Sequence, residues 1–124
     1  MTEHKNVLGT PLEICSLDPQ TGYTRDGSCK VVEGDVGVHG VCIVVSDEFL
    51  EFSKSKGNDL TTPVPMYGFP GLKPGDRWCL CAPRWKEALE DGMAPSVDLM
   101  ATHEATLEYA SLEDLLKYSL GRLS

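Results

Sequence analysis

Cys79 and Cys81 stand one residue apart in Arg77-Trp78-Cys79-Leu80-Cys81-Ala82, a run that reads as a β-strand leaving a turn. Side chains alternate faces along a strand, so parity sends both thiols one way and Trp78, Leu80 and Ala82 the other. A second strand-like run, Val41-Cys42-Ile43-Val44-Val45, carries another thiol. Three readings of this thiol group stay open. As a metal half-site the pair has the wrong separation, because structural zinc favours two to four intervening residues, and Cys42 with His39 or His103 would have to complete the set. As a redox pair, two cysteines on one strand face close a strained disulfide, and no Cys-x-x-Cys opens a helix. As plain structure, cysteine is a small buried hydrophobe, and this reading is favoured. No metal and no cofactor is expected.

His39 lies in Gly34-Asp35-Val36-Gly37-Val38-His39-Gly40, a glycine-spaced loop running into the Val41 strand. A phosphate cradle would precede a helix and would not hold an acid such as Asp35, so phosphate binding is discarded. His39 is a candidate general base or ligand, or a hydrogen-bonded structural residue, and His103 in Thr102-His103-Glu104 has the same standing. Arg84 opposes the dipole of the helix it opens, and Glu90 and Asp91 oppose it at the other end. Beside free helix N–H groups, Arg84 would clamp a carboxylate or phosphate, with Asp59 as its expected protein partner. The plainer alternative, and the favoured one, is an ion pair with Glu87 one turn along. Asn58 and Asp59 read first as a structural turn. No Gly-x-Ser-x-Gly elbow occurs.

Several elements must position these groups. Val41–Val45 is the clearest buried strand, and Ser46, Asp47 and Glu48 cap and charge a helix that Gly57 stops. Gly57 to Asp76 holds four prolines and interspersed glycines, so no regular element is expected there. Met66, Tyr67, Phe69 and Leu72 predict an ordered wrap over the domain, with Tyr67 and Phe69 packed inward. The Arg77–Ala82 strand follows, then a helix with Pro83 at its first position and Trp85, Ala88 and Leu89 on one face. Val97–Met100 suggests a short strand, and Ala105–Ala110 is ambiguous. Ser111 with Asp114 caps a last helix lined by Leu112, Leu115, Leu116 and Leu120. Residues 1–40 are rich in turns, Asp18-Pro19 and Arg25-Asp26-Gly27 among them, with short strands at Val7-Leu8 and Leu12–Cys15. Strands and helices mix without a βαβ repeat, which predicts an α+β domain spanning residues 1–124.

Formal net charge is −8, with 19 acids against 11 Lys and Arg, and no basic run offers phosphate contacts. Nucleic acid is excluded as a partner. No apolar run reaches membrane-spanning length and the N-terminus has no apolar signal region, so a soluble cytoplasmic protein without a membrane partner is expected. Five cysteines in a reducing compartment read as free thiols, with Cys42, Cys79 and Cys81 largely buried.

The ordered set Asn6-Val7-Leu8-Gly9, Gly22-Tyr23-Thr24-Arg25-Asp26-Gly27, Gly57-Asn58-Asp59-Leu60, Pro70 to Cys81, Arg84-Trp85 and Ala101-Thr102-His103-Glu104 resembles a small bacterial-type domain family of unknown function, over nearly the whole chain. The resemblance implies a stand-alone domain and no particular activity. Members often carry two adjacent cysteines where this chain has Ser28-Cys29, which puts any site needing both in doubt. Its motifs contain Asn58, Asp59, Arg77, Cys79, Cys81, Arg84 and His103, which join Cys42 and His39 as site candidates. The leading expectation is a pocket for a small anionic ligand, walled by the long loop and floored by the Cys79/Cys81 strand, in a binding domain or an enzyme. A thiol-dependent redox or metal protein and a non-catalytic interaction module are the alternatives.

Overall fold

Three β-branched residues around a cysteine make Val41–Val44 (β1) the central strand of the sheet in this computed structural model, which describes residues 4–17 and 20–119. Arg77–Leu80 (β2) and Ser96–Val97 (β3) flank it, both antiparallel, in the order β2-β1-β3. Three helices accompany the sheet among the described residues: Asp47–Ser55 (α1), Ala82–Glu90 (α2) and Leu112–Lys117 (α3). The architecture is α+β, as the mixed pattern predicts.

Register divides the sheet into two chemically distinct faces. Val41 pairs with Leu80 and Ile43 with Trp78 and Val97, and these apolar side chains build the main core with Trp85, Ala88 and Leu115. Cys42 pairs with Cys79 and points to the opposite face, where Cys15, Cys29 and Ala101 pack on them. Trp85 is the largest fully buried side chain, and its indole N–H donates to Pro95 O at 3.2 Å.

Local chemistry sets most helix ends. Ser46 Oγ accepts from Phe49 N at 3.1 Å, and Gly57 at φ 92° lies just beyond the C-cap of α1. Ser111 Oγ accepts from Asp114 N at 3.1 Å and opens α3. Leu115 is buried there, whereas Leu116, expected on the same face, is 45% exposed, and Leu120 lies outside the described residues.

Four expectations need correction. β2 ends at Leu80 and α2 starts at Ala82, so Pro83 is not its first residue and Cys81 becomes the N-cap between strand and helix. The expected Val97–Met100 strand stops at Val97, because Asp98 accepts from Met100 N and turns the chain into a 3-10 helix over Leu99–Ala101. Glu104–Glu108, the ambiguous segment, is also a 3-10 helix. The N-terminal strands at Val7-Leu8 and Leu12–Cys15 reduce to isolated bridges such as Lys5 with Pro11 and Ile14 with Ser28, since turns interrupt every run. The expected turn at Asp18-Pro19 lies outside the described residues.

The long loop folds back on itself. Val64 and Phe69 exchange both backbone hydrogen bonds, and Leu72 N donates to Leu60 O at 2.7 Å. Phe69 is buried edge-on against Trp78, centroids 5.1 Å apart, and Leu72 is 3% exposed. Met66 is 83% exposed and anchors nothing; the Tyr67 side chain lies outside what is described. Gly71 makes the return possible: its φ is 82°, and a Cβ there would sit 2.3 Å from Thr61 O. Gly71→Ala is expected to destabilise the protein by about 2–4 kcal/mol, the sum of left-handed strain and overpacking. A denaturant midpoint unchanged from wild type would contradict this account of the loop.

Candidate functional site

Asp35 starts the site. It is buried, and both carboxylate oxygens serve His39: Oδ2 accepts from the His39 backbone N–H at 2.9 Å and Oδ1 from ring Nδ1 at 2.6 Å. The four-residue span between them is closed by a turn in which Val38 takes φ 51°, a left-handed conformation that a β-branched residue adopts only under constraint. Val38 O in turn accepts from Ala82 N at 2.8 Å, which ties the loop to the first residue of α2. Cys81, immediately before that residue, is half-buried and free, and its thiol lies beside the His39 ring. Gly37 is what lets them meet: a Cβ there would lie 3.1 Å from His39 Cε1 and 3.2 Å from Cys81 Sγ. A buried carboxylate hydrogen-bonded to an imidazole thus lies beside a free thiol.

The Cys81 thiol beside the ring and the bond and charge of Asp35 together push the His39 pKa up to about 9, against the opposing pull of burial. The ring is an imidazolium at neutral pH. Because its folded value lies above the unfolded one, near 6.5, its contribution to stability is complete below about pH 6.5 and lost as pH rises through about 9. His39→Asn is therefore expected to flatten the stability curve between pH 6.5 and 9. A denaturation series giving wild type and variant the same slope across that interval would contradict the coupling.

A cavity of about 370 Å³ opens onto His39, Cys79 and Cys81, with Tyr23, Arg25 and Asn58 around it and Trp78 on one wall. Two groups there are conspicuously uncommitted. The Arg25 guanidinium lies 5.3 Å from the Trp78 ring centroid and has no carboxylate partner among the described residues. Arg25 also sits at φ 58°, held by its N–H donating to Gly22 O at 3.0 Å. The Asn58 side-chain amide lines the cavity while its backbone is held by Ser53. Asn58 and Leu60 come from the start of the long loop, and Trp78 to Cys81 from β2 and its end.

The other expected site residues fall into different roles. Arg84 donates to Lys56 O at 3.1 Å and pairs with Glu87 at 3.3 Å, the one-turn ion pair, and not with Asp59. Asp59 is taken up nearer home: its carboxylate accepts from the hydroxyls of Thr61 and Thr62, which holds its pKa well below the usual range. Nor are helix N–H groups free for a clamp at α2. Ala82 N is used by Val38 O, Pro83 has none, and Arg84 N and Trp85 N both donate to Cys81 O. Arg84 does border a second cavity of about 370 Å³ with Gly37, Cys81, Pro83 and Glu87, so Cys81 is reached from two sides.

Arg77 and His103 are not at the site. Arg77 pairs with Asp98 at 2.5 Å and joins β2 to the turn after β3. His103 Nδ1 accepts from Ala105 N at 3.0 Å as the cap of a 3-10 helix, its other nitrogen faces His4 at 2.9 Å, and burial lowers its pKa.

The expectation of free thiols is overturned for Cys15, Cys29, Cys42 and Cys79. Cys15 bonds Cys42, and Cys29 bonds Cys79, with Cα atoms 5.6 and 5.3 Å apart. Strand pairing does place Cys42 opposite Cys79, but the turn-rich N-terminal segment crosses that sheet face and supplies each with another partner. Among the five cysteines, Cys81 alone stays free. Sequence reasoning missed Asp35, Arg25, Cys15 and Cys29. An acid four residues before a histidine in a glycine-spaced loop was the available signal for Asp35; the others had none.

A short antiparallel sheet with a thiol, an imidazole and a buried carboxylate converging beside one cavity defines a small α+β domain with a cysteine–histidine–aspartate site. The chain belongs to the family described as "uncharacterized protein conserved in bacteria (DUF2237)", whose model matches residues 5–119 and agrees with the resemblance of its motifs. No curated protein matches the chain. Among the described residues no helix is long and apolar enough to cross a membrane.

Proposed function

We propose that the protein is a thiol-nucleophile enzyme acting on a small, carboxylate-bearing electrophile, with Cys81 as nucleophile, His39 as its proton partner and Asp35 as the residue that orients His39. The observation that carries this reading is the Asp35–His39–Cys81 series opening onto a cavity with an unpaired Arg25. An imidazolium next to a cysteine favours the thiolate, the reactive form. In the reaction, the Cys81 sulfur forms a bond to the electrophilic carbon, the bond to the leaving group breaks, and that group departs with the proton from His39. Arg25 and the Asn58 amide hold the substrate carboxylate. Arg25 takes the place that the sequence assigned to Arg84.

Asp35 matters through geometry: two bonds to one residue fix both the backbone and the ring of His39. The excess of 19 acids over 11 bases keeps nucleic acid outside this reading, and a cytoplasmic setting, where Cys81 stays reduced, is retained within it.

Intact-mass spectrometry tests the proposal. Thioesters of a dicarboxylate and of a neutral acid of equal size are offered to the native protein. Acylation of Cys81 is expected, faster for the anionic donor by roughly tenfold, with Arg25→Gln removing the preference. A Cys81 that reacts only after unfolding would refute the reading.

A further inference from the structure

On the cysteine-bearing face of the sheet, reaching the His39 cavity only through Cys79, lies a group of sulfurs that this reaction does not use. Cys42 and Cys79 are cross-strand partners on β1 and β2, so register fixes two thiol-bearing positions side by side. Cys15 and Cys29 arrive from the N-terminal turns, and the four residues are between 0% and 4% exposed. The Sγ atoms of Cys15, Cys29 and Cys79 all lie within 4.8 Å of one another, although they belong to different disulfides. Cys42 Sγ is bonded to Cys15 and joins the same cluster.

We infer that Cys15, Cys29, Cys42 and Cys79 form a tetrathiolate site for a zinc-class divalent cation when their two disulfides are reduced. With metal–sulfur bonds of about 2.3 Å, the sulfurs of a tetrahedral site stand about 3.8 Å apart. Three of the sulfurs already lie within 4.8 Å of one another, and Cys42, bonded to one of them, is the fourth that side-chain rotation after reduction would bring in. A closed, buried set of four cysteines is the donor set of a structural site, and it leaves no open position for substrate. The histidines that the sequence offered as ligands are not needed: His103 caps a helix, and His39 belongs to Cys81.

The chemistry balances with a dithiol reductant. Each disulfide takes two electrons and two protons, and each reductant molecule closes to its own cyclic disulfide. Binding then releases the thiol protons and forms four metal–sulfur bonds. In a reducing compartment, where disulfides rarely persist, the metal replaces them as the link between the N-terminal segment and the sheet.

The full-length chain, reduced anaerobically with a dithiol that is then removed, is titrated with Co2+ and then Zn2+. One equivalent of Co2+ is expected to give the intense visible absorption of a tetrahedral thiolate complex, displaced by one equivalent of Zn2+. Cys81→Ser should keep that spectrum, and Cys29→Ser should weaken it severely. Alkylation of the Zn2+-loaded wild type reads the same site without relying on a variant that folds: only Cys81 should be modified. Substoichiometric binding, a weak octahedral spectrum, loss of the site in Cys81→Ser, or modification of all five cysteines would each overturn the inference.

Discussion

In native protein at neutral pH, iodoacetamide is expected to label Cys81, and His39→Ala to slow that labelling by about ten- to thirtyfold. An ordinary thiol is only a few per cent ionised at neutral pH, so losing an imidazolium partner can cost up to about that factor in reactive thiolate. The other cysteines are held in disulfides and supply no competing thiol. Asp35→Asn should slow labelling less, because it leaves the ring in place but weakens what orients it. The pH profile separates chemistry from access. The gap between wild type and His39→Ala should close as pH rises through about 9, where His39 loses its proton. Equal rates and parallel profiles for wild type and His39→Ala would show that the ring does not act on the sulfur, and the proposed function would lose its central pair.

Removing the Cys29–Cys79 bond, as Cys29→Ala/Cys79→Ala under non-reducing, metal-free conditions, is expected to lower the melting temperature by on the order of 15 °C. The bond closes a loop with a sequence separation of 50, for which the chain-entropy argument gives about 4 kcal/mol. The same argument gives about 3.5 kcal/mol for Cys15–Cys42, with its separation of 27. Few other links hold the N-terminal segment to the sheet: Thr21 Oγ1 accepts from Cys79 N, and the Glu13 and Val7 backbones bond Met100 and Thr102. Calorimetry that finds the double variant within a few degrees of wild type would show that these hydrogen bonds suffice.

Loss of that bond would also reach the cavity. Gly22, Tyr23 and Arg25 precede Cys29 in the segment that the bond secures over β2. The position of Arg25, the proposed ligand anchor, is therefore tied to the covalent link at Cys79.

What local chemistry could dictate was legible in the amino-acid sequence. Ser46 and Ser111 announce the helices they cap, Gly57 stops the first of them, and the β-branched run at Val41 announces the central strand. The density of proline and glycine from 57 to 76 foretold a loop, with Phe69 and Leu72 as anchors, but the expectation of no regular element there misses the one-turn 3-10 helix Pro65–Tyr67. These features depend on residues a few positions apart, whose energies are set by backbone geometry and short-range hydrogen bonds.

Only the tertiary structure decided which side chains meet. For Arg84 the sequence favoured Glu87 one turn along, as found, and offered Asp59 as the alternative, yet Asp59 finds two threonine hydroxyls within three residues. Cys42 lies opposite Cys79 but bonds Cys15, because the N-terminal turns cross the sheet where strand geometry cannot foresee them. His39 and Cys81 are 42 positions apart, and Val38 at positive φ, Gly37 without a side chain and the bond to Ala82 are what bring them together. The amino-acid sequence determined the elements, their ends and the candidate residues, since those follow from local propensity. The site itself arises from contacts between distant segments, whose pairing is chosen by the packing of the whole chain.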